Sequence, residues 1–176
     1  TKNCEKYYDQ IIENIIKNKD IKNIFISHRW KGNIAKTSIL INSDKTLKEA
    51  DDQDLKMNSA LELINYLLNN DKKVFIFYPF PEAKYNVPLT KSKLVHQGKS
   101  LQIGQTINEY YKRNDIIFKY LVKISHKNLI KIYPHEVFCD TFKKKQCVVE
   151  VNNTSVYSDD KHFTAEGVEI FFKKIK

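Results

Sequence analysis

An α/β fold, built on a parallel sheet covered on both faces, is the class this sequence predicts. Two observations predict it. Amphipathic helical stretches alternate with short apolar strands along most of the 176 residues, and those apolar runs are bounded by polar or proline residues. Alternating helices and strands are the signature of a parallel sheet whose crossover helices lie on its faces. The length suits a single domain, and no internal repeat or low-complexity linker divides it.

The elements follow in order. Residues 5–17 read as an amphipathic helix, with Tyr8, Ile11, Ile12, Ile15 and Ile16 on one face. Residues 23–27 (Asn-Ile-Phe-Ile-Ser) read as a buried strand, cut off by His28-Arg29, and 34–43 fits neither template. Residues 54–68 form a second helix. Residues 74–78 are the clearest strand, ended by Pro79 and Pro81, because proline cannot donate to a ladder. The stretch 82–104 reads as a long polar loop, a length usually functional or mobile. A third helix is expected over 107–125 and a third strand over 129–133. Residues 148–151 and 155–157 look like a hairpin around Asn152-Asn153, and 165–175 is a final helix. Asn152 and Asn153 also head two Asn-x-Thr/Ser sequons, which are short matches prone to chance.

Composition narrows the function classes. No apolar run approaches the roughly 18–20 residues of a membrane-spanning helix. The net charge is +9, but of the 30 Lys and Arg only Arg29 and Arg113 are arginine. Arginine does most of the bidentate reading of guanine and phosphate, so nucleic acid is the weakest partner for this basic surface. A solvated lysine-rich face accounts for the charge, and anionic membrane or glycan remains compatible with it. Cys139 and Cys147 lie eight apart with no second ligand pair nearby, which suits a disulfide better than a metal site. A lasting disulfide implies an oxidising compartment; three free thiols in a reducing one is the alternative. Cys4 is left over, and its place near the start points to a partner upstream.

In a doubly wound sheet, ligands gather beyond the carboxyl ends of the strands. The most informative such segment here is 157–167, Tyr-Ser-Asp-Asp-Lys-His-Phe-Thr-Ala-Glu-Gly. Asp159 and His162 are three apart just before a helix. On a turn, that spacing folds the carboxylate onto the imidazole, where it selects the tautomer and stabilises the imidazolium. Thr164 is a plausible N-cap. On composition alone, an Asp-x-x-His before a helix is more often capping chemistry than catalysis.

The block Asp159-Asp160-Lys161-His162-Phe163-Thr164-Ala165-Glu166-Gly167 resembles the last block of SGNH (GDSL-type) hydrolases, in which Asp-x-x-His supplies two members of a Ser-His-Asp triad. The strand ending His28-Arg29-Trp30 is similar to one subgroup of that family. So are the strand at 74–78 with its Pro79-Phe80-Pro81-Glu82 loop and Tyr85-Asn86-Val87-Pro88, the Arg113-Asn114 pair, and Phe138-Cys139-Asp140…Cys147. The subgroup is the SGNH domain fused to membrane acyltransferase-3 proteins, the O-antigen and polysaccharide O-acetylases, and the resemblance covers nearly the whole chain.

The resemblance implies a flavodoxin-like three-layer fold with Asp159 orienting His162 and His162 as general base. Arg29 and Trp30 stand where many members carry an oxyanion motif, and Asn33 next to Gly32 is a further oxyanion or substrate candidate. It implies no metal and no cofactor. The substrate implied is an acylated glycan, O-antigen or another surface polysaccharide, and the partner is an N-terminal membrane acyltransferase domain of the same polypeptide. The place implied is the periplasmic face of a bacterial inner membrane. One departure stands out: none of the four glycines precedes Asp-Ser, and no Gly-x-Ser-x-Gly elbow occurs. The expectation is therefore a single SGNH-like domain over 1–176, incomplete at its N-terminus and lacking the family's first strand and its serine. Ser27, after a strand but without a glycine turn, is a weak internal substitute. The alternative is a nucleophile-less module that binds a glycan or a partner without chemistry.

Overall fold

The computed structural model describes residues 2–28, 30, 53–99 and 104–175. Along the chain its elements are α1 (Lys2–Lys17), β1 (Asn23–Ile26), α2 (Gln53–Asn69), β2 (Lys73–Phe77), α3 (Val87–His96), β3 (Gln105–Thr106), α4 (Ile107–Leu121), β4 (Leu129–Ile132), α5 (Pro134–Phe138), β5 (Gln146–Cys147), β6 (Glu150–Val151), β7 (Thr154–Ser155) and α6 (Ala165–Lys174). They fall into two compact units: Thr1–Tyr78 with Ile116–Ile132, and Pro79–Asp115 with Tyr133–Lys176. The Cys4 side chain, Arg29, Gly32-Asn33 and the stretch 34–43 lie outside the described residues.

The first unit is built on the three apolar runs. They pair in parallel in the order β1-β2-β4, with Ile24 opposite Val74 and Phe75 opposite Ile130. Parallel neighbours need a crossover, and α2 provides the one between β1 and β2. Its Ile64, Leu67 and Leu68 are buried, as are Val74 and Ile76 of β2. The central strand β2 thus carries the core, as a run of apolar residues in a parallel sheet should.

β1 differs from its expectation. It is not buried throughout: exposure alternates along it, and Phe25 is 63% exposed. It lies at the edge of the described sheet, and Phe25 covers one side of its ring by stacking on Phe75 at 4.5 Å. Lys72 shows the opposite behaviour. It is a buried cation, satisfied because its Nζ donates to the carbonyls of Asn18 (2.9 Å) and Ile21 (2.8 Å).

The second unit holds short antiparallel pieces and α3, α5 and α6. β3 pairs with β5, placing Gln105 opposite Cys147. Cys139 and Cys147 form a disulfide. β6 and β7 form the expected hairpin around Asn152 and Asn153, whose φ angles of 51° and 64° are left-handed. A two-residue hairpin loop of type I′ needs positive φ at both positions, and Asn tolerates it better than most residues. The stretch 82–104 is not the irregular loop expected, because it contains the ten-residue helix α3. Only Val87 of that helix is buried. Asn86 caps it, accepting from Leu89 N at 3.0 Å, and Pro88 sits in its first turn.

Candidate active site

The turn at 158–162 is closed at its base before its side chains act. Ser158 N donates to His162 O at 2.8 Å, and Tyr157 and Phe163 face each other in an antiparallel bridge. Below that bridge, Phe163 packs on Phe80, Phe138 and Tyr157 with ring centroids 5.0 to 5.2 Å apart. Thr164 then caps α6 as expected, its Oγ1 accepting from Gly167 N at 3.0 Å. Gly167 passes so close to the preceding segment that a Cβ there would lie 2.3 Å from Val156 O. A strand end, a turn and a helix start are thereby locked together within a dozen residues.

On this turn Asp159 folds back, as the three-residue spacing predicts. One carboxylate oxygen, Oδ1, accepts the backbone N–H groups of Lys161 and His162, each at 2.7 Å. The other, Oδ2, lies 2.5 Å from His162 Nδ1. The His162 ring, and then the two backbone donors, hold the Asp159 carboxyl well below the usual carboxylate range. An ionised Asp159 is acceptor-only, so the bond to it places the proton of a neutral ring on Nδ1. Nε2 is then the basic nitrogen, and no group among the described residues engages it. The His162 side chain is 70% exposed. The arrangement can therefore take a proton at Nε2 from a hydroxyl brought to it, with Asp159 stabilising the imidazolium that results.

The other candidates divide. Trp30 lies in the first unit and is 3% exposed, with its indole N–H donating to Phe77 O at 2.9 Å. That bond ties Trp30 to the end of β2. Arg29 and Asn33 lie outside the described residues. Cys139 and Cys147 are bonded to each other, as their spacing suggested. Among the described residues, no three His, Cys, Asp or Glu side chains group as a metal site would need, and no helix is long and apolar enough to cross a membrane.

Two buried tyrosines near the turn were not singled out from sequence. Tyr157 donates its hydroxyl to Pro81 O at 2.5 Å, and Tyr110 donates to Pro79 O at 2.7 Å. Burial pushes both phenols well above their ordinary range, so they remain donors at any ordinary pH. No local pattern announces these bonds, since they link residues 76 and 31 positions apart.

The family model described as "SGNH domain (fused to AT3 domains)" matches residues 1–176. Among solved structures, the periplasmic domain of a lipopolysaccharide acetyltransferase from Salmonella ser. Paratyphi A superposes with a TM-score of 0.62 at 17% identity. The match covers 95% of this chain and 59% of that one, so this chain spans less than two thirds of that chain's length. No curated protein matches the sequence significantly.

Proposed function

Because this chain belongs to the family of SGNH domains fused to AT3 domains, we propose that it carries the Asp/His half of an extracytoplasmic acyl-transfer site acting on acetyl or similar acyl groups of a cell-surface glycan. The observation that carries the reading is the 2.5 Å contact between Asp159 Oδ2 and His162 Nδ1, on a turn that leaves the ring exposed.

In this reading a serine hydroxyl, supplied from outside these 176 residues, attacks the carbonyl carbon of an acyl ester. His162 Nε2 takes the hydroxyl proton as the new O–C bond forms. The tetrahedral oxyanion collapses, the old ester C–O bond breaks, and His162 returns the proton to the departing oxygen. A sugar hydroxyl or water then repeats the sequence on the acyl-serine. Backbone donors around the oxyanion typically contribute about 3–4 kcal/mol to such a step. A membrane acyltransferase domain of the same polypeptide would deliver the acyl group, and an O-antigen or other surface polysaccharide would receive it, on the periplasmic side of the inner membrane.

The test uses the full-length protein. His162→Ala abolishes acyl transfer and ester hydrolysis while the fold persists, and Asp159→Asn lowers kcat by up to about 10⁴-fold through the wrong tautomer. Undiminished turnover in folded His162→Ala would remove the assigned base. The absence of any Gly-Asp-Ser among these residues keeps a second reading in play, a glycan- or partner-binding module. Glycan binding by a full-length protein with no hydrolysis or transfer on any ester would favour it.

A further inference from the structure

Lys143-Lys144-Lys145 is the one run of three lysines in the chain. It lies in the loop 140–145 (Asp-Thr-Phe-Lys-Lys-Lys), between α5 and β5, and every residue of that loop is exposed. The loop is tied at its base, across its width and to a neighbouring helix. The disulfide joins Cys139 to Cys147, and Asp140 N donates to Gln146 O at 2.9 Å. Lys145 N donates to Asp140 Oδ1 at 2.6 Å, and Thr141 Oγ1 donates to Glu136 O at 2.6 Å. Ile107 N, at the start of α4, donates to Lys145 O at 3.0 Å. Asp140 and Lys145 both hold a left-handed φ of 59°, which non-glycine residues keep only where their surroundings fix it.

Held in this way, the loop presents an aromatic ring among cations. Phe142 is 39% exposed although it is apolar. Lys174, the last residue of α6, places its Nζ 5.3 Å from the centre of the Phe142 ring. Lys144, Lys145 and Lys174 are all exposed. The acids nearest in the chain, Glu136 and Asp140, are fewer than the lysines around the ring. An exposed ring flanked by lysines is the composition of a segment that lies in a membrane interface. The ring enters the headgroup boundary, and the ammonium groups reach anionic headgroups on long apolar stems. A sugar or a base would have to displace Lys174 to stack on that face of Phe142, whereas the exposed part of the ring enters lipid without moving it.

We propose that the loop 140–145, together with Lys174, docks on a bilayer that contains anionic phospholipid. The proposal goes beyond acyl transfer and does not rest on it. α6 starts at the turn of Asp159 and His162 and ends at Lys174, about 15 Å along its axis, so docking uses no group of that pair.

Partitioning of the 176-residue chain onto lipid vesicles is the test. Vesicles of two parts phosphatidylcholine to one part phosphatidylglycerol should sediment the protein at low salt, and vesicles of phosphatidylcholine alone should not. Each lysine brought to an anionic surface contributes about fivefold to partitioning. Lys144→Gln combined with Lys145→Gln should therefore weaken binding by about 20-fold. Lys93→Gln combined with Lys99→Gln removes the same charge outside the loop and should leave binding within about threefold of wild type. Phe142→Trp should show blue-shifted emission on the anionic vesicles, and Leu89→Trp, at a residue 55% exposed on α3, should not. Equal weakening by the two lysine pairs, or unshifted emission from Phe142→Trp, overturns the proposal. So does loop-dependent binding of soluble polyphosphate without binding to the vesicles, which would make the loop a site for a dissolved anion. If the chain alone gives no cooperative urea transition, the emission difference between Phe142→Trp and wild type is read in the full-length protein in the same two lipid mixtures, and an unshifted difference is equally decisive.

Discussion

Gly167→Ala is the single substitution whose cost is most directly set by this geometry. An added Cβ would lie 2.3 Å from Val156 O, 3.1 Å from Val156 C and 3.2 Å from Val156 Cα. All three are backbone atoms, so no side chain can rotate away. The start of α6 must withdraw from the segment at Val156 until 2.3 Å becomes at least 3.0 Å. That withdrawal works against two hydrogen bonds at the same junction, Gly167 N to Thr164 Oγ1 and Thr164 N to Val156 O. Overpacking against a rigid neighbour costs about 1–3 kcal/mol, and a weakened Thr cap about 1 kcal/mol more. Alanine's better helix propensity offsets at most about 1 kcal/mol. The net loss is about 2–3 kcal/mol, which moves a urea midpoint down by roughly 1 M for a slope of about 2–3 kcal/mol per M. Circular dichroism during urea unfolding reads it. A Gly167→Ala protein with a midpoint equal to or above wild type would show that α6 and the Val156 segment are not in the contact described. Gly98 provides the contrast: it has φ +66° and nothing within 4 Å of an added Cβ, so Gly98→Ala is strained only through its backbone.

Other outcomes follow from single contacts. Burial pushes the His135 imidazole from 6.5 down to about 4, so between those values the unfolded chain binds a proton that the folded protein refuses. Stability is thus full above about pH 6.5 and falls as the pH drops towards 4; His135→Gln should flatten that window in urea titrations, and an unchanged slope would assign it to other groups. Trp30→Phe deletes the donor to Phe77 O and should cost about 0.5–1.5 kcal/mol, the net worth of one hydrogen bond; a neutral effect would mean the indole is not holding the end of β2. Thiol titration of oxidised, denatured protein should find Cys139 and Cys147 unreactive, and reduction should lower stability by about 2–3 kcal/mol in the chain-entropy account of so short a loop. Three reactive thiols would contradict the disulfide.

Much of this was readable one residue at a time. The strands at Val74–Ile76 and Leu129–Ile132, the capping of α6 by Thr164 and the folding of Asp159 onto His162 depend on neighbours within four positions in the chain. For such contacts, spacing and residue type are nearly sufficient, because the backbone leaves few alternatives. α3 had a local signal too, in Asn86 followed by Pro88. Its weak apolar face masked that signal, since a helix burying only Val87 has no amphipathic stripe to find.

Burial and long-range bonding depended on tertiary structure. The composition of β1 reads as a core strand, yet Phe25 is exposed, because exposure is set by what lies beside a strand and not by the strand itself. The indole N–H of Trp30 meets a carbonyl 47 residues away, which no local spacing announces. Pro-x-Pro-Glu reads as a loop ending a strand, and nothing nearby in sequence tells that Tyr110, Tyr157, Gln105 and Arg113 hold it. Those contacts are made only when distant segments arrive together, and their partners are set by the packing of the whole unit rather than by any spacing along the chain. The contact between Asp159 and His162 was therefore legible locally, while the long-range contacts around the 79–82 segment were not.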